Sequence, residues 1–232
     1  MLPALVSEPP PGELALSPYP WPDLPPGQHL TSVLPTVQLS DPPTIPLREW
    51  TFTVVTEAGV EHQWDWPAFC TQPTEHFLAD LHCVLGWSAV DVPWEGVPVQ
   101  RFLGGFLDGF LDGTGSSSPY AQICGDDGYV TTLPTEDLTE MPTWLAVRCN
   151  GERLTRDHGA PMRLLVPHLY GWKSVKWVRR IVFTAEDSPG TRERDGYHAY
   201  GDPWRQQRRR LTPRGTTTAN PFEHPDPEES ER

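Results

Sequence analysis

An α+β fold dominated by strands follows from three features of the chain. Short apolar runs with a period of two recur along it, the mark of half-buried strands. Turn signals separate these runs, the clearest being Asn150-Gly151, which suits the positive φ values of a tight hairpin. Helical spacing is confined to one stretch, Val99 to Leu111, where Phe106 and Phe110 lie four apart on one face. Many strands, little helix and long connections together read as a β-rich α+β domain.

The chain has 232 residues and ten tryptophans, enough for one domain with a substantial core. Its 28 prolines crowd toward the two ends. Residues 1–28 carry too little apolar surface to offset the entropy of ordering, so an extended or disordered arm is expected. Residues 29–205 form the folded domain, and 206–232 a tail that is first basic and then acidic. A net charge of −13 disfavours nucleic acid and acidic membranes as partners. Neither a membrane-spanning apolar run nor an export signal is visible, which reads as a cytoplasmic protein without membrane insertion. In a reducing compartment Cys70, Cys83, Cys124 and Cys149 stay thiols rather than a disulfide framework. A zinc site from His62, Cys70, His76, His82 and Cys83 fits no usual ligand spacing.

Taken in order, residues 29–47 are Pro-rich with spaced apolar positions and suit a segment lying across the surface. Trp50, Phe52 and Val54 mark a first strand, and Gly59 turns it into a hairpin with Val60 to Trp66. Phe77 to Ser88, FLADLHCVLGWS, alternates as a strand that presents Cys83 at its tip, with Gly86 and Trp87 behind it. The helix over Val99 to Leu111 follows. Asp112 to Ser116 resembles the start of a calcium loop but lacks the closing bidentate carboxylate, which favours a plain loop. Tyr120 to Cys124 and Tyr129 to Pro134 are strands around an Asp126-Asp127-Gly128 turn. Trp144 to Cys149 leads into the Asn150-Gly151 hairpin, and Arg163 to Val166 is a strand closed by Pro167. Lys176 to Phe183 is the last strand, with Trp177, Arg179, Ile181 and Phe183 on one face.

Chemistry concentrates in three clusters, each with a plain alternative. Cys83 is either a small buried hydrophobe or a thiol held at a strand tip. His158 and Arg163 flank Gly159-Ala160-Pro161, a rigid turn with two polar heads or a surface ion pair. Ser174 and Lys176, on either side of Val175, suit a phosphate, or simply begin a basic strand. A soft thiolate prefers a soft or high-valent metal, whereas the other groups suit an anionic organic ligand. A metal carried by a phosphorylated organic cofactor satisfies both.

The succession HCVLGWS, DGYVTTLP and HGAPMRLLVPHLYGWKSVKW closely resembles the sulfite oxidase family of molybdopterin-dependent oxidoreductases, over roughly residues 30 to 205. The ending Gly196-Tyr197-His198 with Gly201-Asp202-Pro203-Trp204 is similar to that of small prokaryotic members. The resemblance implies a fold of mixed sheets with few short helices that binds molybdopterin. It implies molybdenum bound by Cys83, and a pyranopterin with its phosphate held by His158, Arg163, Ser174, the peptide at Val175, and Lys176. It also implies an active-site role for Tyr129, donating to an oxo or substrate oxygen; a packed turn tyrosine is the alternative. Two-electron oxygen-atom transfer on a small oxyanion, or on an S- or N-oxide, is the implied reaction. Trp87, Trp94 and Trp172 would supply apolar walls for the latter. No haem domain or immunoglobulin-like dimerisation domain is recognisable, so a separate electron-transfer partner is expected. Thr31 and Ser32 are the nearest N-terminal cofactor contacts, and Arg101, Arg148, Arg153 and Arg156 are the available anion-binding arginines. A cofactor-free interaction protein on the same scaffold is the competing reading.

Overall fold

The computed structural model describes residues 23–103 and 118–210. Eleven strands form two mixed sheets, joined by short helices. The first sheet runs β1 (His29–Leu30), β5 (Trp87–Pro98), β8 (Trp144–Cys149), β10 (Arg163–Leu165), with β4 (Glu75–His82) on β5 and β9 (Glu152–Arg153) on β8. The second runs β3 (Glu61–Asp65), β2 (Thr51–Val55), β11 (Val178–Thr184), β6 (Tyr120–Gly125), β7 (Val130–Pro134). The pairs β1–β5 and β2–β11 are parallel; the others are antiparallel.

Strand alternation decides which sheet face each residue serves. On β10 Leu164 joins the large core, and its neighbour Leu165 joins a second cluster with Leu81, Trp94 and Ala146. On β8 Leu145 and Ala146 divide in the same way. The large core brings Val97, Leu145 and Leu164 of the first sheet against Phe52, Ile123, Leu133 and Ile181 of the second. Each aliphatic side chain buried there contributes about 1.5–3 kcal/mol. β2 is central and shielded on both sides, so Phe52 to Val55 are all buried rather than alternating.

The hairpins are where the turn chemistry put them. Asn150 and Gly151 take φ of 51° and 77° between β8 and β9, as a type I′ turn requires. β2 and β3 pair from Thr51–Asp65 to Val55–Glu61. Asp65 then caps α1 (Trp66–Phe69), its carboxylate accepting from the Ala68 N–H at 2.8 Å, with Pro67 in the first turn. Residues 99–103 are helical (α2) and bury Val99, Phe102 and Leu103. The rest of the expected helix, with Phe106 and Phe110, and the loop at Asp112 to Ser116 lie outside the described residues. α3 (Glu136–Thr139) and α4 (Thr191–Arg194) complete the helices.

The last strand differs from its expected form. It begins at Val178, not Lys176. Val178 pairs with Gly125 and Arg180 with Cys124, so Arg179 is an unopposed extra residue. That bulge swaps the strand's faces, and Trp177, Arg179, Ile181 and Phe183 do not form one row. Trp177 sits instead in a tight turn at φ 50°. The turn frees Lys176 to face a cavity. Among the described residues no helix is long and apolar enough to cross a membrane.

Candidate functional site

The cavity lies where β4 ends, beside the turn that precedes β11. It encloses about 860 Å³ of space between atoms, part of it open to solvent. Cys83, Tyr129, His158, Arg163, Ser174, Val175 and Lys176 all line it. Residues spread over three sequence clusters therefore share one wall.

Cys83 follows β4 directly and is 9% exposed, with a free thiol. Its N–H donates to the Trp87 carbonyl at 2.8 Å, and its carbonyl accepts from Gly86 N–H and from Gln28 Nε2. Gly86 makes this loop possible at φ 99°. Burial pushes the Cys83 thiol up, opposed by the Leu85 N–H and the charges of Arg192 and Arg208. Those opposing groups favour an anionic sulfur once burial is offset by a cation. Arg208 is held behind the loop, donating to the Val84 and Gly27 carbonyls and lying over the Tyr170 ring.

The second cluster is built on a 3-10 turn, Arg156–His158, that ends at Gly159 with φ 103°. A Cβ there would sit 3.1 Å from Arg163 Cβ and 3.2 Å from Lys176 Cα, so only glycine lets the two basic clusters touch. His158 Nε2 is 3.0 Å from the Leu34 carbonyl, which can only accept. Its Nε2 therefore carries the proton, and Nδ1 accepts from the Thr155 hydroxyl at 2.8 Å. Arg163 is 3% exposed. Its two Nη groups donate to the His158 and Ser174 carbonyls, each at 3.2 Å, and it lies over the Trp94 ring. Its buried Nε has no partner, and no carboxylate pairs with it among the described residues. Burial lowers it to about 10. A buried cation with an unused donor is a site for an anion.

The third cluster completes that receptor. Ser174 Oγ accepts from the Val166 N–H at 2.9 Å, leaving its own proton to donate. The N–H groups of Val175, Lys176 and Trp177 meet no acceptor among the described residues. Lys176 Nζ donates to the Asp157 carbonyl at 2.6 Å, the Val37 carbonyl at 3.1 Å and Gln38 Oε1 at 3.3 Å. Burial first, then Arg163, lowers Lys176 to about 8.

Tyr129 lines the cavity with its hydroxyl engaged by the protein. Its hydroxyl donates to the Trp172 carbonyl at 2.8 Å, which commits its only proton. Burial and then Glu193 raise it well above the ordinary phenol range, with Arg192 opposing.

Other candidates fall elsewhere. Thr31 and Ser32 do not line the cavity; Leu34, Pro35, Val37, Gln38 and Leu39 of the same segment do. Of the tryptophans, Trp87 and Trp172 form walls, whereas Trp94 is buried beneath Arg163. Arg101 pairs with Glu75, Arg148 with Glu95, and Arg156 donates to the Pro42 carbonyl. None of these, nor Arg153, lines the cavity. Besides Arg163, the arginine that does is Arg192 on α4, which stacks on the Tyr197 ring at 5.1 Å. Among the described residues it has no ion pair and no side-chain hydrogen bond. Its helix is pinned by Glu193, whose Oε1 takes Lys173 Nζ at 2.7 Å, Trp172 Nε1 at 3.2 Å and the Thr131 hydroxyl at 3.0 Å. In sequence Arg192 is one of several charges in Thr191-Arg192-Glu193-Arg194, with nothing to separate it from Arg194.

The chain is similar to known proteins over most of its length. The oxidoreductase molybdopterin-binding domain family matches residues 39–192. The chain is 37% identical over 191 residues to an uncharacterized oxidoreductase, YuiH, of Bacillus subtilis, covering 80% of this chain and 91% of that one. It is 30% identical over 196 residues to the protein-methionine-sulfoxide reductase catalytic subunit MsrP of Pseudomonas syringae, covering 74% of this chain and 57% of that one. In fold it is similar to the crystal structure of the sulfane dehydrogenase SoxCD of Paracoccus pantotrophus, with TM-score 0.56 and 18% identity, over 71% of this chain and 47% of that one.

Proposed function

Because the chain belongs to the sulfite oxidase family of molybdopterin-binding oxidoreductases, we propose that it carries out two-electron oxygen-atom transfer on a small oxyanion with molybdenum held by Cys83. The observation that carries this reading is the shared cavity, lined by the free thiol of Cys83 and by the basic groups Arg163 and Lys176, with Asp127 also in the lining and no carboxylate paired to Arg163 among the described residues. The residues fit the cofactor. Arg163 Nε and the N–H groups at 175–177 lack partners, as expected of donors meant for a phosphate and pterin edge. Cys83 would supply the protein's bond to the metal. Arg163, Ser174, Lys176 and the peptide at Val175 would hold the organic part, and His158 would fix its rim.

When bound, the cofactor supplies the redox chemistry, cycling molybdenum between the +6 and +4 states. The protein's residues do the rest. Arg192, beside Cys83 and without a carboxylate partner among the described residues, draws an anionic substrate to the Cys83 side of the cavity and orients it. The apolar walls from Trp87, Trp172 and Val84 limit water there and strengthen that attraction. Oxidation of a sulfite-type anion takes one oxygen from water and releases two protons and two electrons. The electrons leave to a separate acceptor. Reduction of a neutral S-oxide is the second reading, favoured by those same apolar walls.

Expression in a host that makes the cofactor, followed by elemental analysis and pterin fluorescence, tests the proposal. Wild-type protein should carry molybdenum near one per chain. Cys83→Ser should keep the fold and lose oxygen transfer by a factor of a thousand or more, on the order of a lost nucleophile or ligand. Normal turnover by that variant would exclude Cys83 as the metal's ligand.

A further inference from the structure

We propose that residues 31–42 are a strap that roofs the cavity, lifts to admit the cofactor, and then limits its escape. The inference rests on the cofactor reading above and adds a route of entry to it. The strap has no helix or strand of its own. At its start β1 pairs with β5, and Thr31 N–H donates to the Ser88 carbonyl at 2.9 Å. From there it crosses the cavity, with Leu34, Pro35, Val37, Gln38 and Leu39 in the lining.

Little apolar burial holds it down. Val33 is 64% exposed and Leu39 52%, and only Leu34 packs on a hydrophobic cluster. Polar latches do the holding instead. His158 Nε2 donates to the Leu34 carbonyl, and Lys176 Nζ to the Val37 carbonyl and Gln38 Oε1. Farther along, the Ser40 hydroxyl donates to Asp127 Oδ2 at 3.2 Å and Arg156 Nη2 to the Pro42 carbonyl at 2.6 Å. A segment held by a few exposed hydrogen bonds opens locally at far lower cost than the sheets around it. Two of the latches, His158 and Lys176, are also cofactor donors. Entry of an anionic ligand thus competes with the closed strap for the same hydrogens. The other two latches lie at the strap's far end, and neither Ser40 nor Arg156 lines the cavity.

Those outer latches give the test. Full-length wild type and Ser40→Ala/Arg156→Ala are made in a cofactor-producing host and desalted. Molybdenum content and pterin fluorescence are then followed over time, alongside thermolysin cleavage at positions 33–39. The double variant should be cleaved there, and should lose molybdenum, about tenfold faster, the scale of one charge-assisted hydrogen bond. Faster cleavage with wild-type retention would overturn the gate, because an open strap would then not release the cofactor. Unchanged cleavage would overturn the latches. In both cases a molybdenum-loaded wild type leaves the cofactor reading standing. Wild type without molybdenum would overturn both.

Discussion

Replacing Lys176 by Met should change the pH dependence of stability in a direction fixed by the site. In the folded cofactor-free chain burial and Arg163 lower Lys176 to about 8, against an ordinary value of 10.5. Below pH 8 the amine is protonated in both folded and unfolded states, and the full cost of holding that charge is present. Between pH 8 and 10.5 the folded protein sheds the proton while the unfolded chain keeps it, so this group's contribution to stability rises with pH. Integrated from pH 7 to pH 9, and reduced for the partial exposure of the side chain, the gain is about 1 kcal/mol. Burial raises all four cysteines, which acts with the opposite sign over the same window, since the unfolded thiols ionise first. The quantity to measure is therefore the difference between wild type and Lys176→Met. Urea unfolding at several pH values from 7 to 9, with equal m-values, gives it. The wild-type curve should climb relative to the variant's by about 1 kcal/mol. Parallel curves would refute the claim that the amine is held against its charge, and with it the claim that the site is built to receive an anion.

Gly159→Ala should lower stability by about 2 kcal/mol or more, read as a drop in thermal midpoint, because a side chain at φ 103° would press on the Lys176 backbone. Lys173→Met leaves Glu193 buried without its cation and should cost about 3–5 kcal/mol; Lys173→Met/Glu193→Leu should recover most of it in the same melt. Arg192→Gln should raise KM for a sulfite-type anion about tenfold, with Arg192→Lys intermediate, while a neutral S-oxide is unaffected. Equal effects on both substrates would remove Arg192 from substrate selection.

The elements that sequence made legible are those set by local rules. Short apolar runs between turn signals gave β6, β7 and β8, and the alternation over Phe77 to Ser88 gave β4, although that strand stops at His82 and Trp87-Ser88 open β5. Asn150-Gly151 gave its hairpin, because pleat and turn geometry act within a few residues. The joint position of Cys83, His158, Arg163 and Lys176 was legible only through the ordered motifs, since no spacing rule relates a strand tip to a turn 75 residues later. Three features had no local signature. The bulge at Arg179 depends on the register with β6. The segment at 34–39 is chosen by main-chain carbonyls, which every residue possesses. Arg192 is selected by the buried Glu193 beside it, and burial of a Glu in a charged run runs against its usual preference.

The cavity's wall draws on both ends of the described chain, from Leu34 to Arg192. During synthesis the strap and the thiol loop emerge early, but the closing wall does not exist until α4 has left the ribosome. A nascent fragment that stops short of Lys176 lacks part of the proposed cofactor grip, so cofactor insertion is expected late in synthesis or after it. Truncation anywhere before Lys176 would then yield apoprotein whatever the cofactor supply, whereas loss of α4 alone would remove the substrate's Arg192.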